Sequence, residues 1–154
     1  MDIAAPAGSR TGPIDLAVAA AGLAEVWSPR VAGRVNDVLV KVARLDGDFV
    51  WHNHPDTDEA FLCLDGRLVI DLRDGIDPEG GIDLRDGIDL EGGGPTRARS
   101  IELAPGEFYV VPRGVYHCPH APGGATVALF EAAGVVNTGQ AGGGLTAPVD
   151  RPLD

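Results

Sequence analysis

From Asp37 onward the chain alternates with a period of two. Val38, Val40 and Val42 fall on one side, Leu39, Lys41 and Ala43 on the other, and Asp46-Gly47 closes the run with a turn signal. The same reading predicts strands over Phe49–His54, Glu59–Leu64, Arg67–Leu72, Phe108–Val111, Val115–Cys118 and Thr126–Glu131. Turn dipeptides such as Pro55-Asp56, Asp65-Gly66, Pro105-Gly106 and Arg113-Gly114 separate them. A short helix or turn is expected over Asp15–Leu23, after an Ala-, Gly- and Pro-rich arm at residues 1–13. Strands this short and this often punctuated predict an all-β protein, a small antiparallel barrel or sandwich.

Composition agrees with that class and narrows the partners. The 154 residues suit one domain, and 44% apolar with 23% charged residues is ordinary globular composition. Twenty-two glycines and twelve prolines supply the turns. A net charge of −11 opposes binding to phosphate backbones or anionic lipid, so no nucleic acid and no membrane surface is expected as a partner. No apolar run approaches the ~20 residues of a membrane span, and Met1–Pro6 lacks a basic leader, so a cytoplasmic location is expected. Cys63 and Cys118 are two cysteines without metal-type spacing and read as buried free thiols.

One stretch repeats. Residues 70–81 and 82–93 differ only at Pro78 against Leu90, and together they carry a net charge of −6. Two copies are too few for a solenoid, and the spacing fits neither an EF-hand loop nor a calcium-binding nonapeptide. The segment reads as a duplicated, solvated acidic loop at about 74–95, inside a single domain at 14–148 that is followed by a tail at 149–154.

The candidate chemistry lies in the histidines. All four fall in two short clusters, His52 with His54 and His117 with His120. Two residues apart on a strand, His52 and His54 leave the same face with Cβ atoms about 7 Å apart, close enough to share one ion. Glu59 opens the next strand after the Pro55-Asp56 turn, and His117 completes a set of three imidazoles and one carboxylate. By the same parity Phe61 and Cys63 share the Glu59 face and are expected to line the interior, whereas Cys118, Trp51 and Tyr116 point away from the ligands. Lys41 is the one lysine in the chain and sits on a strand with one buried face, from which it could reach an anionic substrate. His120 is a further pocket candidate, with a surface position as the plainer reading, and Arg113 is expected at the rim.

The stretch Gly47-x4-His52-x-His54-x4-Glu59-x6-Gly66 resembles the first cupin motif, and Gly106-x5-Pro112-x-Gly114-x2-His117 resembles the second. The flanking Trp27-Ser28-Pro29 and Asn137-Thr138-Gly139 are similar to small single-domain, phosphomannose-isomerase-like cupins. Two departures stand out: Gly47 precedes His52 by one residue fewer than usual, and Ala121 stands where the second motif ends in Asn. The resemblance implies a double-stranded β-helix, the cupin jelly-roll barrel, with one divalent ion, Fe(II), Mn(II), Zn(II) or Ni(II), held by His52, His54, Glu59 and His117. It also implies a homodimer and a small-molecule substrate. The activity expected is that of a metal-dependent isomerase, decarboxylase, cyclase or dioxygenase in which Glu59 also handles a proton. The alternative from another class is a non-catalytic binding or sensor cupin.

Overall fold

Residue alternation decides which side chains meet inside this molecule, and the strands follow from it. The computed structural model describes residues 12–74 and 97–154. One short helix, α1 (Leu16–Ala21), precedes seven strands: β1 (Arg30–Val35), β2 (Val38–Asp48), β3 (Glu59–Gly66), β4 (Leu68–Asp74), β5 (Arg97–Leu103), β6 (Phe108–Val111) and β7 (His117–Ala132). Asp15 starts α1, its carboxylate accepting from the Val18 N–H at 3.0 Å. All strand pairs are antiparallel. The order β1-β2-β7-β3-β6 forms one side, and β4 pairs with β5 and with β7. This is the all-β jelly-roll architecture that the sequence leads one to expect.

β7 closes the barrel. Its second half lies between β2 and β3, and its first half, His117 to His120, pairs with β4. Val115–Cys118 and Thr126–Glu131, expected as separate strands, are joined because Pro122-Gly123-Gly124 bends the chain without reversing it. Gly124 has φ of +81°, a conformation open to glycine at no steric cost. Phe49–His54 is not a continuous strand. It is an extended segment held at Phe49, whose N–H donates to Pro119 O, and at an isolated bridge between His52 and His117. β1 and β5 escape the periodicity reading: β1 carries a bulge at Val31/Gly33, and β5 (Arg-Ala-Arg-Ser-Ile-Glu-Leu) is largely polar.

The core follows the inward parity. Leu68, Ile70 and Leu72 alternate along β4 and are fully buried, packed with Cys63, Val127 and Leu103. Cys63 and Cys118 are both buried free thiols, and burial pushes the Cys118 thiol up to about 11. The duplicated acidic segment falls outside the described residues from residue 75 onward, as does most of the N-terminal arm. The tail at 149–154 is tied to β1: Val31 N–H donates to Arg151 O and Leu153 N–H to Val31 O, at 2.8 and 2.9 Å.

His120 lies on the outer face of β7, opposite in parity to His117, and is not a wall of the interior. Its Nδ1 meets Asp48 Oδ1 on β2 at 3.0 Å, and its Nε2 meets Asp71 on β4, which also accepts from Ser100 on β5. One imidazole thus ties three strands. Burial works against its proton, but the hydrogen bonds to Asp71 and then Asp48 outweigh it and raise its pKa. A group whose native pKa is raised contributes stability fully below its unfolded value of about 6.5 and loses it as pH rises through the native value. The side chain is partly exposed, so screening holds the effect below about 1 kcal/mol. Melting temperatures taken between about pH 6 and 9 should fall more for the native chain than for His120→Gln; equal slopes would count against the tie.

Candidate metal centre

One extended segment and the first residues of two strands bring four candidate ligands together. His52 and His54 come from the extended segment before β3, Glu59 is the first residue of β3, and His117 is the first of β7. The His52 N–H donates to His117 O at 3.0 Å and the His117 N–H to His52 O at 2.9 Å, so the two sequence clusters are joined through their backbones. The turn after β6 secures the other end: Gly114 N–H donates to His54 O at 2.9 Å. Gly139, which has φ of +57°, packs so closely on Asn53 that an added Cβ would lie 2.3 Å from its carbonyl oxygen.

One candidate ligand atom from each of His52, His54, Glu59 and His117 lies within 4.8 Å of the others, and all four residues are buried. The tautomers follow from the second ring nitrogens. His52 Nδ1 is 2.9 Å from Val50 O and His117 Nδ1 is 2.9 Å from Val115 O. A carbonyl only accepts, so both Nδ1 atoms carry a proton, and Nε2 is the nitrogen each ring turns toward the candidate site. His117 Nε2 stands 3.4 Å from Glu59 Oε1, and His54 Nε2 is 3.3 Å from Glu59 Oε2 with no hydrogen bond made. Burial, followed by the neighbouring His117, pushes His52 down to about 3, so its imidazole is neutral at physiological pH. Burial opposes ionisation of Glu59, but the polar side chains of Glu131, His117 and His54 beside it outweigh burial and hold the carboxyl well below the usual range. A neutral His52 imidazole, an ionised Glu59 carboxylate and a buried His54 nitrogen without a partner are what a divalent first-row ion requires of its ligands. The residues fit such an ion.

A cavity opens beside these ligands, with about 400 Å³ of atom-free space counting its mouth. His52 and Glu59 form its polar wall, and Trp27, Phe49, Phe61, Leu45, Val127 and Leu129 most of the rest. Trp27 stacks on Phe49 with centroids 4.7 Å apart, and Phe49 stands edge-on to His52 at 5.2 Å.

Of the other expected pocket residues, Phe61 is in this wall, whereas Cys63 lies in the core and His120 on the outer face. Lys41 points inward but stands behind the wall, its ammonium 2.9 Å from both Glu131 and Asp150. It is neutralised there, not held ready for an anion. Trp51 lies outside with the Arg73 guanidinium 4.5 Å above its ring, and Arg113 is exposed beside Asp58.

Glu131 is the site residue that periodicity did not single out. It follows Val127 and Leu129 at inward parity on β7 and lines the cavity, buried to 5% exposure. Burial, then the adjacent Glu59 carboxylate, pushes it up to about 9, with Lys41 acting in the opposite sense. A carboxylate ending an inward apolar row is the signal that could have found it.

No family model matches the chain. A cupin-2 domain protein from Shewanella frigidimarina superposes with a TM-score of 0.59 at 32% identity, over 77% of this chain and 93% of that one. The chain belongs to the cupin superfamily. A stretch of 40 residues is 50% identical to the uncharacterized protein YdbB of Bacillus subtilis, a match spanning 26% of this cupin and 35% of that protein. Hydroquinone 1,2-dioxygenase from Sphingomonas, solved with 4-hydroxybenzoate bound, shares the fold at TM-score 0.53 and 20% identity, over 77% of this chain and 71% of that one. Among the described residues no helix is long and apolar enough to cross a membrane.

The contact of Gly139 with Asn53 lies between two of this cupin's candidate ligands, His52 and His54. Gly139→Ala should therefore weaken binding of Mn(II) or Zn(II) about tenfold, the scale of a lost supporting contact, and lower stability by about 2 kcal/mol from backbone strain. Gly142→Ala also sits at positive φ (+63°) but meets nothing within 4 Å, and should leave metal affinity unchanged in a competition titration.

Proposed function

We propose that this cupin is a metal-dependent enzyme acting on a small oxygen-containing molecule, with one divalent ion held by His52, His54, Glu59 and His117. The observation that carries the reading is the convergence of four buried ligand groups, two of them imidazoles that turn Nε2 toward the site, on the wall of an apolar cavity. When bound, an ion there supplies Lewis-acid polarisation of substrate oxygens for isomerase, decarboxylase or cyclase chemistry, or dioxygen chemistry if it is Fe(II).

The chain's own residues do the rest. Val50 O and Val115 O fix the rings of His52 and His117, and the apolar wall excludes water from the reacting end. Glu59, between His54 and His117, is placed to take a substrate proton on a carboxylate oxygen.

Elemental analysis of protein purified without chelator, aerobically and anaerobically, should give about one equivalent of metal per chain, and His117→Ala should lose it. Iron lost or oxidised in air would select dioxygen chemistry; manganese, zinc or nickel would select the Lewis-acid reactions. No metal in any preparation would overturn the reading in favour of a binding protein. Glu59→Gln should keep the ion and lose turnover, and full turnover in that variant would remove Glu59 from the proton step.

The reading includes a cytoplasmic homodimer. Its support is the outer sheet face, where Val40, Phe130, Ala60 and Val110 run side by side across four strands, next to a second row ending in Phe108. Phe108 and Val110 are 56% and 42% exposed, and an uncharged face is where two acidic chains can meet. Sedimentation should give twice the chain mass of 15.9 kDa, and Phe108→Glu with Val110→Glu should give the monomer.

A further inference from the structure

The cavity beside the metal ligands has few polar atoms, and nearly all of them are engaged. Trp27 Nε1 donates to Asp46 O at 2.8 Å. Asn137 Nδ2 donates to Trp27 O and Leu145 O at 3.1 and 2.9 Å, and its Oδ1 accepts from Ala147 N–H at 2.9 Å. His52 and Glu59 belong to the ligand group. What is left is Glu131. Its Oε1 accepts from Lys41 Nζ at 2.9 Å, while among the described residues no donor reaches the buried Oε2, whose neighbour is the Glu59 carboxylate.

A buried carboxyl oxygen without a donor is costly unless something else meets it. Lys41 is itself held by Asp150 at 2.9 Å, and Asp150 accepts from Gly134 N–H at 2.8 Å, so the carboxyl is braced from behind and faces the cavity. The remaining wall is aromatic and aliphatic, and no lysine or arginine is among the described residues that line it.

We propose that Glu131 is a ligand-recognition residue, hydrogen-bonding through Oε2 to a hydroxyl of a small, otherwise apolar molecule bound at the metal centre, of the enol or phenol class. The inference rests on the metal reading above and narrows it. A sugar would bring several hydroxyls into a wall that offers one free partner and is otherwise apolar. An enol or phenol needs oxygens for the ion, one polar partner and an apolar wall for the remainder.

The test uses full-length protein loaded with Co(II), the visible spectrum of the ion reporting binding of catechol and of its monomethyl ether, guaiacol. Chelation favours catechol in every variant, so the informative quantity is the ratio of the two affinities. Glu131→Met should keep one equivalent of cobalt and lower the catechol-to-guaiacol ratio about tenfold, the worth of one hydrogen bond to a charged or buried group. Glu131→Gln, which keeps a hydrogen-bonding group, should hold the ratio within about threefold of the native one. If Glu131→Met does not fold, infrared difference spectra decide: catechol should shift a carboxyl band in native protein that is missing in Glu131→Gln. An unchanged ratio, an unshifted band, or no catechol binding by the cobalt-loaded native protein would overturn the proposal. Failure to take up cobalt at all would instead overturn the metal reading.

Discussion

The pair of backbone hydrogen bonds between His52 and His117 is the constraint on which the site depends. It joins segments 65 positions apart in sequence, and it does so at the ligands themselves, with no neighbouring residue standing between. Opposed residues of an antiparallel pair point to the same face, so this one bridge commits both imidazoles to the interior, their rings 4.2 Å apart. Leu72, opposite His117 on β4, is fully buried, and a slip of one residue would exchange it for a charged neighbour. The hydrophobic register of β4 and the ligand register of β7 therefore enforce each other.

The same economy governs the charges inside the barrel. Buried titratable groups are tolerated only when partnered, and here they occupy one connected row: Glu59 among the imidazoles, Glu131 next to it with its pKa raised, Lys41 behind, and Asp150 at the surface end. Asp150 comes from the C-terminal segment that pairs along β1, so the last residues of the chain help to balance a charge next to the metal ligands. The apolar cluster that includes Cys63, Leu68, Ile70 and Leu103 needs no such balance.

Much of this was legible from residue spacing, because period two is a direct statement about faces. His52 with His54, Glu59 and His117 could be assigned to one side, and Cys118 to the other, before any pairing was known. What spacing could not supply was the pairing of distant strands. Glu131 reads as the polar end of a β-strand until β7 is placed between β2 and β3, which puts Lys41 beside it. β1 and β5 were obscure for a related reason: each is an edge strand with polar positions and one partner, so its hydrophobic alternation is weak. The joined strand at β7 shows the limit of turn dipeptides, since Gly123-Gly124 permits a bend as readily as a reversal.

The two histidine clusters carry the argument about parity to its end. His117 and His120 are three residues apart on one strand, so they leave opposite faces, and nothing in their local composition tells them apart. Inside, the carbonyl of Val115 accepts from Nδ1 of His117 and turns Nε2 toward Glu59 and the other candidate ligands. Outside, Asp48 and Asp71 flank both nitrogens of His120 and favour the doubly protonated ring, which no metal can use. The partner groups, not the residue type or its closeness in sequence, determine that one imidazole joins the candidate ligand set and the other is held as a cation. The clustering of histidines marks the region of the site, and the pleat of β7 selects which of them belongs to it.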